Sequence, residues 1–199
     1  MKTVIQIVLV ILIGVMAYFV YESIQEPLRF NAEKDKRYAA TIQRLKDIRM
    51  AEVAYRSEYK KYTGSFDTLI AFLKTDSFRV VMQIGDEDDA DPASAANVVR
   101  DTIRVSVLDS LFSKNYPVDS LRYVPYAQNE QFELGIAELE VGKVRVNVFE
   151  AKVENNVLLE GLNPQLLVNF NAERQKMTGY AGLKVGSLEE TTNNAGNWE

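Results

Sequence analysis

The chain has no cysteine and no histidine in 199 residues, and a single tryptophan. Without cysteine there are no disulfides, no thiolate metal sites, no cysteine nucleophile and no lipoprotein acylation. Without histidine the commonest general base and metal ligand is gone, so neither a serine–histidine triad nor a histidine-ligated metal centre can be built. Glycine-rich phosphate loops and nucleophile elbows are absent too, and no pair of carboxylates carries a recognisable catalytic spacing. Positive charge is also in short supply. Lysine and arginine number 23 against 28 aspartates and glutamates, a net charge of −5, which argues against nucleic acid or an anionic lipid surface as the main partner.

What is present is the balance of a globular protein, 47% hydrophobic and 26% charged, so disorder is not the expectation. The apolar residues are unevenly spread. From Val4 to Tyr21 the chain reads VIQIVLVILIGVMAYFVY, with Gln6 the one strongly polar side chain. Eighteen helical residues rise about 27 Å, close to the thickness of a bilayer's hydrocarbon layer. Tyr18, Phe19 and Tyr21 gather at the end of the run, where aromatic rings favour a membrane–water interface. A cleaved signal peptide is the competing reading. It calls for a shorter apolar core and small residues at a cleavage site, and YFVYESIQEP supplies none. The expectation is a retained single-pass anchor in the bilayer of an inner (cytoplasmic) membrane. Lys2 precedes the span and Glu22 and Glu26 follow it, which places the N-terminus in the cytoplasm and the remaining chain in the periplasm or outside the cell.

Beyond the anchor, Pro27 predicts a kink or short break. A long amphipathic helix then runs from about Asn31 to Tyr62. Tyr38, Ile42, Leu45, Ile48, Ala51, Tyr55, Tyr59 and Tyr62 form one stripe at three- and four-residue spacings. Glu33–Arg37 and Glu52–Arg56 have the spacing of surface ion pairs, and Gly64 is the expected stop. The stripe could pack on the protein's own sheet, on a partner helix or on a lipid surface; its tyrosine and alanine content favours the sheet. Ser65 can cap a short second helix that buries Phe66, Leu69, Ile70 and Leu73.

The period then changes from helical to alternating. Ile103, Val105 and Val107 form one run, Phe132, Leu134 and Ile136 a second, and Val144, Val146 and Val148 a third. Gly142 predicts a hairpin with strands near 131–140 and 143–153. Asn155 and Asn156 supply a turn, Asn163–Pro164 opens a short helix over 164–171, and a last strand spans Tyr180 to Val185. The polar tail is expected to be loosely held apart from Trp198. The reading is α+β: an anchor over 1–24, a stalk helix over 25–64, a sheet domain over 65–186 and a tail over 187–199.

RLKDIRMAEVAYRSEYKKYTGSFDTLIAFL, Arg44 to Leu73, resembles the end of the long first helix in type IV pilins and type II secretion pseudopilins. Tyr55, Tyr59, Tyr62, Gly64, Ser65, Asp67 and Leu69 carry the resemblance, and Pro27 is similar to the proline many pilins hold near the end of their span. The likeness extends over roughly residues 4–73. It implies an N-terminal span, a stalk packed on an antiparallel sheet and a structural role in an assembly. The chain departs from the family's start. MKTVIQIV has no leader glycine and no glutamate within the span, and Gln6 is a neutral stand-in. Peptidase processing and filament extraction are therefore not expected.

Three further features invite a functional reading. The acidic run from Gly85 to Pro92, with Asp86, Glu87, Asp88, Asp89 and Asp91, is the one dense set of hard ligands, but it misses the EF-hand pattern at Ala90, Asp91 and Asn97. A solvated loop is the better account. Gln6 and Gly14 can support helix association in lipid, although Gln6 also lies near the interface. Phe112, Tyr116, Tyr123 and Tyr126, with Pro117 and Pro125, suit either an ordered loop or a protein contact. No catalytic, cofactor-binding or metal residue is assigned and no cofactor is expected. The sequence predicts a non-enzymatic, pilin-like membrane subunit with protein partners or self-association. The competing expectation is an anchored binding module for a peptide, glycan or envelope protein that does not polymerise.

Overall fold

The computed structural model describes residues 1–84, 99–113 and 115–199, with the side chains of 79–84 and 99–102 outside the description. The acidic run over 85–92 lies outside the described residues. The fold is α+β. Helix α1 covers Lys2–Tyr59, α2 Phe66–Thr75, β1 Ser77–Ile84, β2 Val99–Ser106 and α3 Val107–Leu111. A 3-10 turn over Val118–Arg122 leads to β3 Glu133–Val141, β4 Val144–Glu154, α4 Asn155–Leu158, α5 Pro164–Thr178 and β5 Gly182–Gly186.

One helix spans both the apolar run and the amphipathic stalk. Its 58 residues make a rod of about 87 Å. The break expected at Pro27 is absent, because Pro27 lies inside the helix. Proline removes one amide donor, and a helix with many turns on either side can carry that single loss. The helix also ends earlier than Tyr62. Lys60 adopts a left-handed conformation (φ 60°) and its N–H bonds the carbonyl of Arg56 at 2.8 Å, so Gly64 is not the stop.

The first 21 residues of the chain are exposed throughout among the described residues. From Phe30 onward one side of α1 is buried, through Thr41, Leu45, Ile48, Ala51, Glu52 and Tyr55. That face meets Leu69 and Leu73 of α2 and Phe149, Ala151, Leu183 and Val185 of the sheet in one core. Each fully buried leucine or isoleucine there stabilises the fold by roughly 1.5–3 kcal/mol. The predicted stripe holds for most of its members, but Tyr59 is exposed, and its hydroxyl donates to Asp76 at 2.6 Å.

The strands form two antiparallel sheets among the described residues. β1 pairs with β2, and β3, β4 and β5 lie side by side in that order. The β3–β4 hairpin matches its predicted strands closely, with Val141 opposite Val144. β1 was not legible in the sequence, and Val107, expected to extend a strand, instead opens α3. Helix α5 reaches Thr178 where a shorter helix was expected, and Asn163 caps it by accepting the Leu166 amide at 3.0 Å. Ser65 stands at the start of α2 without a side-chain capping bond.

The tail is held, contrary to expectation. The Gly186 amide donates to the Ala195 carbonyl and the Asn197 amide to Lys184, both at 3.0 Å, so residues 195–197 run along β5. Asn197 adds bonds from its side chain to the Gly182 carbonyl and from the Lys184 amide. Gly186 permits this course. Its φ is +74°, and a Cβ there would fall 2.1 Å from the Phe149 carbonyl oxygen. Polar composition suggested looseness because backbone pairing leaves no compositional trace.

Candidate functional site: a groove beside the stalk helix

On the side of α1 turned away from the core, Met50 and Val53 are 40% and 45% exposed. They floor a groove of about 640 Å³, closed laterally by Phe78 of β1, Leu111 of α3 and Asn193 and Asn194 of the tail. Two arginines border it, and both are already engaged. The Arg49 guanidinium donates to the Glu199 carboxylate at 2.7 Å and to the Asn194 carbonyl at 3.2 Å. Arg56 donates to the Tyr62 hydroxyl at 3.1 Å with its guanidinium over the same ring. Asn194 also donates to that hydroxyl, at 2.9 Å.

These bonds tie the tail to the helix and set the groove's width. Asn193 and Asn194 both have positive φ, at 53° and 60°, a conformation asparagine enters more readily than most residues. No local pattern signals the groove, since Met50 and Val53 fall outside the predicted stripe and the tail's path is a tertiary fact. Chemically it offers an apolar floor and a rim of hydrogen-bond donors, which suits an inserted side chain or helix face.

Beneath the helix surface lies a group the sequence misread. Glu52 is fully buried and makes no pair with Arg56. Its Oε2 accepts the Thr63 amide at 3.0 Å, and among the described residues its Oε1 has no hydrogen-bond partner. Burial pushes its carboxyl up to about 8, with the Thr63 bond opposing the shift. Glu33 and Arg37 do pair, at 3.1 Å, and Arg37 also donates to the carbonyls of Leu158 and Glu160.

The remaining predicted features fall in separate places. Gln6 and Gly14 sit on the exposed stretch of α1, with nothing within 4 Å of the Gly14 Cβ position. Phe112 and Tyr116 stack at 4.3 Å, and the Tyr116 hydroxyl donates to Asp47 at 2.7 Å. Burial raises the Tyr116 hydroxyl well above its usual range, and the Asp47 carboxylate adds to the shift. Tyr123 and Tyr126 are largely exposed, with Lys36 over the Tyr126 ring. Trp198 packs against the core, and its indole N–H has no partner among the described residues. Among the described residues, no group of three or more aspartates and glutamates converges in a way that could hold a metal ion. No family model, no curated protein and no solved structure matches this chain.

Proposed function

We propose that the chain is a membrane-anchored, non-enzymatic contact subunit, built like a pilin, that takes part in an envelope or surface assembly. The observation that carries this reading is the continuity of α1. An exposed apolar segment and the buried spine of the domain belong to one rod, and no described residue covers the apolar part. Exposed apolar surface of that length is costly in water and favourable in lipid. Lys2 before the span, with Glu22 and Glu26 after it, supports a cytoplasmic N-terminus in the inner membrane and a domain on the far side.

Carbonate extraction and protease accessibility test the anchor. Retention in the pellet, with the domain cleaved only from the far side, is the expected result; release into the supernatant rules the anchor out. N-terminal sequencing then separates an intact start from a processed one.

The groove beside α1 favours a second reading, an anchored module that binds another envelope protein without polymerising. A photo-crosslinker at Val53 distinguishes the two in native membranes. A ladder of self-adducts supports an assembly subunit, and one heterologous band supports the binding module.

A further inference from the structure

The β3–β4 hairpin outruns the sheet it belongs to. β5 pairs with β4 only from Glu150 to Glu154, whereas the hairpin continues to Val141 and Val144. Its turn is two residues long, with Gly142 at φ +68°, so Val141 and Val144 are the narrow, mutually bonded pair. Bonding then alternates along the ladder. The backbone groups of Glu140 and Glu138 point away from β4, toward the open edge of β3. Among the described residues, no backbone bond reaches them.

The side chains on this arm divide by chemistry. Leu139, Val141, Val144 and Val146 share one face, and Val141 and Val144 are 51% and 63% exposed. On the other face Glu140 stands opposite Arg145 and Glu138 opposite Asn147, with Arg145 reaching Glu138 at 4.0 Å. β3 is thus an acidic strand with a basic neighbour on one side and, among the described residues, an unfilled edge on the other. Lys61 and Tyr62 border the hollow beside Ile136 and Asn147, which puts the arm past the end of α1. That is roughly 50–60 Å along the rod from the apolar segment.

We propose that the free edge of β3 is a docking site for an extended protein segment that alternates basic and apolar residues. Its backbone would complete the ladder, its basic side chains would face Glu138 and Glu140, and its apolar side chains would continue the face of Leu139 and Val141. A second copy is the poorer occupant. Two β3 edges paired antiparallel bring glutamates against glutamates, and like charges across strands are unfavourable. Edge charges can serve only to prevent pairing. Here, however, they accompany exposed valines, and they repel acidic strands while attracting basic ones.

This inference stands apart from the membrane reading: peptide binding can fail while carbonate extraction succeeds, and the reverse. The test uses the full chain in detergent micelles. The probe is a fluorescent, end-blocked peptide copying Lys143 to Val148, KVRVNV, with a comparator carrying glutamate in place of its lysine and arginine. Anisotropy is expected to show saturable binding of the basic peptide, with a Kd roughly tenfold below that of the acidic one. Hydrogen exchange should slow at the amides of Glu138 and Glu140. Glu138→Lys with Glu140→Lys reverses the preference. Glu140→Pro removes one outward donor without touching the β3–β4 ladder, and it abolishes binding even if the charge-reversal variant misfolds. Equal binding of both peptides, no saturable binding, or protection confined to other amides overturns the proposal. So does protection of these amides before peptide is added, which would mean that copies pair with each other.

Discussion

The Thr63 amide donates to Oε2 of Glu52 at 3.0 Å, bridging the last turns of α1 to the chain that enters α2. The bond holds a carboxyl that is wholly buried and whose other oxygen has no partner among the described residues. The turn from α1 into α2 is therefore fastened by a group that is easily kept in its neutral form and expensive to ionise.

Stability should fall with rising pH on this account. A carboxyl raised from 4.5 to about 8 in the folded state is neutral there while the unfolded chain ionises. Its contribution is intact below pH 4.5 and is lost progressively as pH climbs to 8, amounting to about 3 kcal/mol by pH 7. Glu52→Gln keeps an acceptor for Thr63 and removes the ionisation. Denaturant melts at pH 5 and pH 8 are expected to show the variant gaining on the parent at the higher pH only. An equal difference at both pH values counts against the assignment.

Tyr38 donates to Asn155, Asn155 donates to Asn171 at 2.8 Å, and Asn171 donates to Asn156 at 2.9 Å, which ties α1 to α4 and α5. Burial pushes the Tyr38 hydroxyl up to about 12, so it remains a donor at ordinary pH. Asn155→Ala removes the acceptor of the partly buried hydroxyl and should cost about 1–3 kcal/mol in urea unfolding. Asn156→Ala, at the end of the chain of bonds, should cost clearly less.

The single tryptophan reports on the tail. Trp198 lies so close to Gly196 that a Cβ there would meet its ring at 2.4 Å. Gly196→Ala should push the indole outward and shift its fluorescence to the red. An unchanged spectrum would mean that the tail is not seated along β5.

Arg49 is joined to Glu199 at 2.7 Å on a partly exposed surface. Arg49→Ala should cost at most about 1 kcal/mol, as exposed pairs do. Val53→Lys on the neighbouring exposed face should leave the melt nearly unchanged and diminish crosslinking in membranes from a photo-crosslinker at Met50, which lines the same groove. A large loss of stability would instead place Val53 in the core.

The long helix α1, the short α2 and the β3–β4 hairpin were legible because their residues carry local periodicity, whereas α3 and α4 fall where a strand and a turn were expected. Leu45, Ile48 and Tyr55 repeat at helical spacing, and Val144, Val146 and Val148 repeat at two. Other features had no local signature. The Glu52–Arg56 spacing signals an ion pair at the surface, yet Glu52 faces inward and Arg56 turns to Tyr62. Spacing alone does not say which face of a helix the core covers.

Residue order and composition alone establish an apolar N-terminal run fused to a charged, amphipathic stalk, and they close cysteine and histidine chemistry to the chain. Hydrophobicity and residue identity are properties of the chain, so they need no fold to be read. It takes the folded chain to place Pro27 within a continuous helix, to pair residues 195–197 with β5 and to line a groove with Met50 and Val53. Those outcomes depend on which backbone groups and surfaces meet across long stretches of chain, and contacts between distant residues leave no period in the sequence.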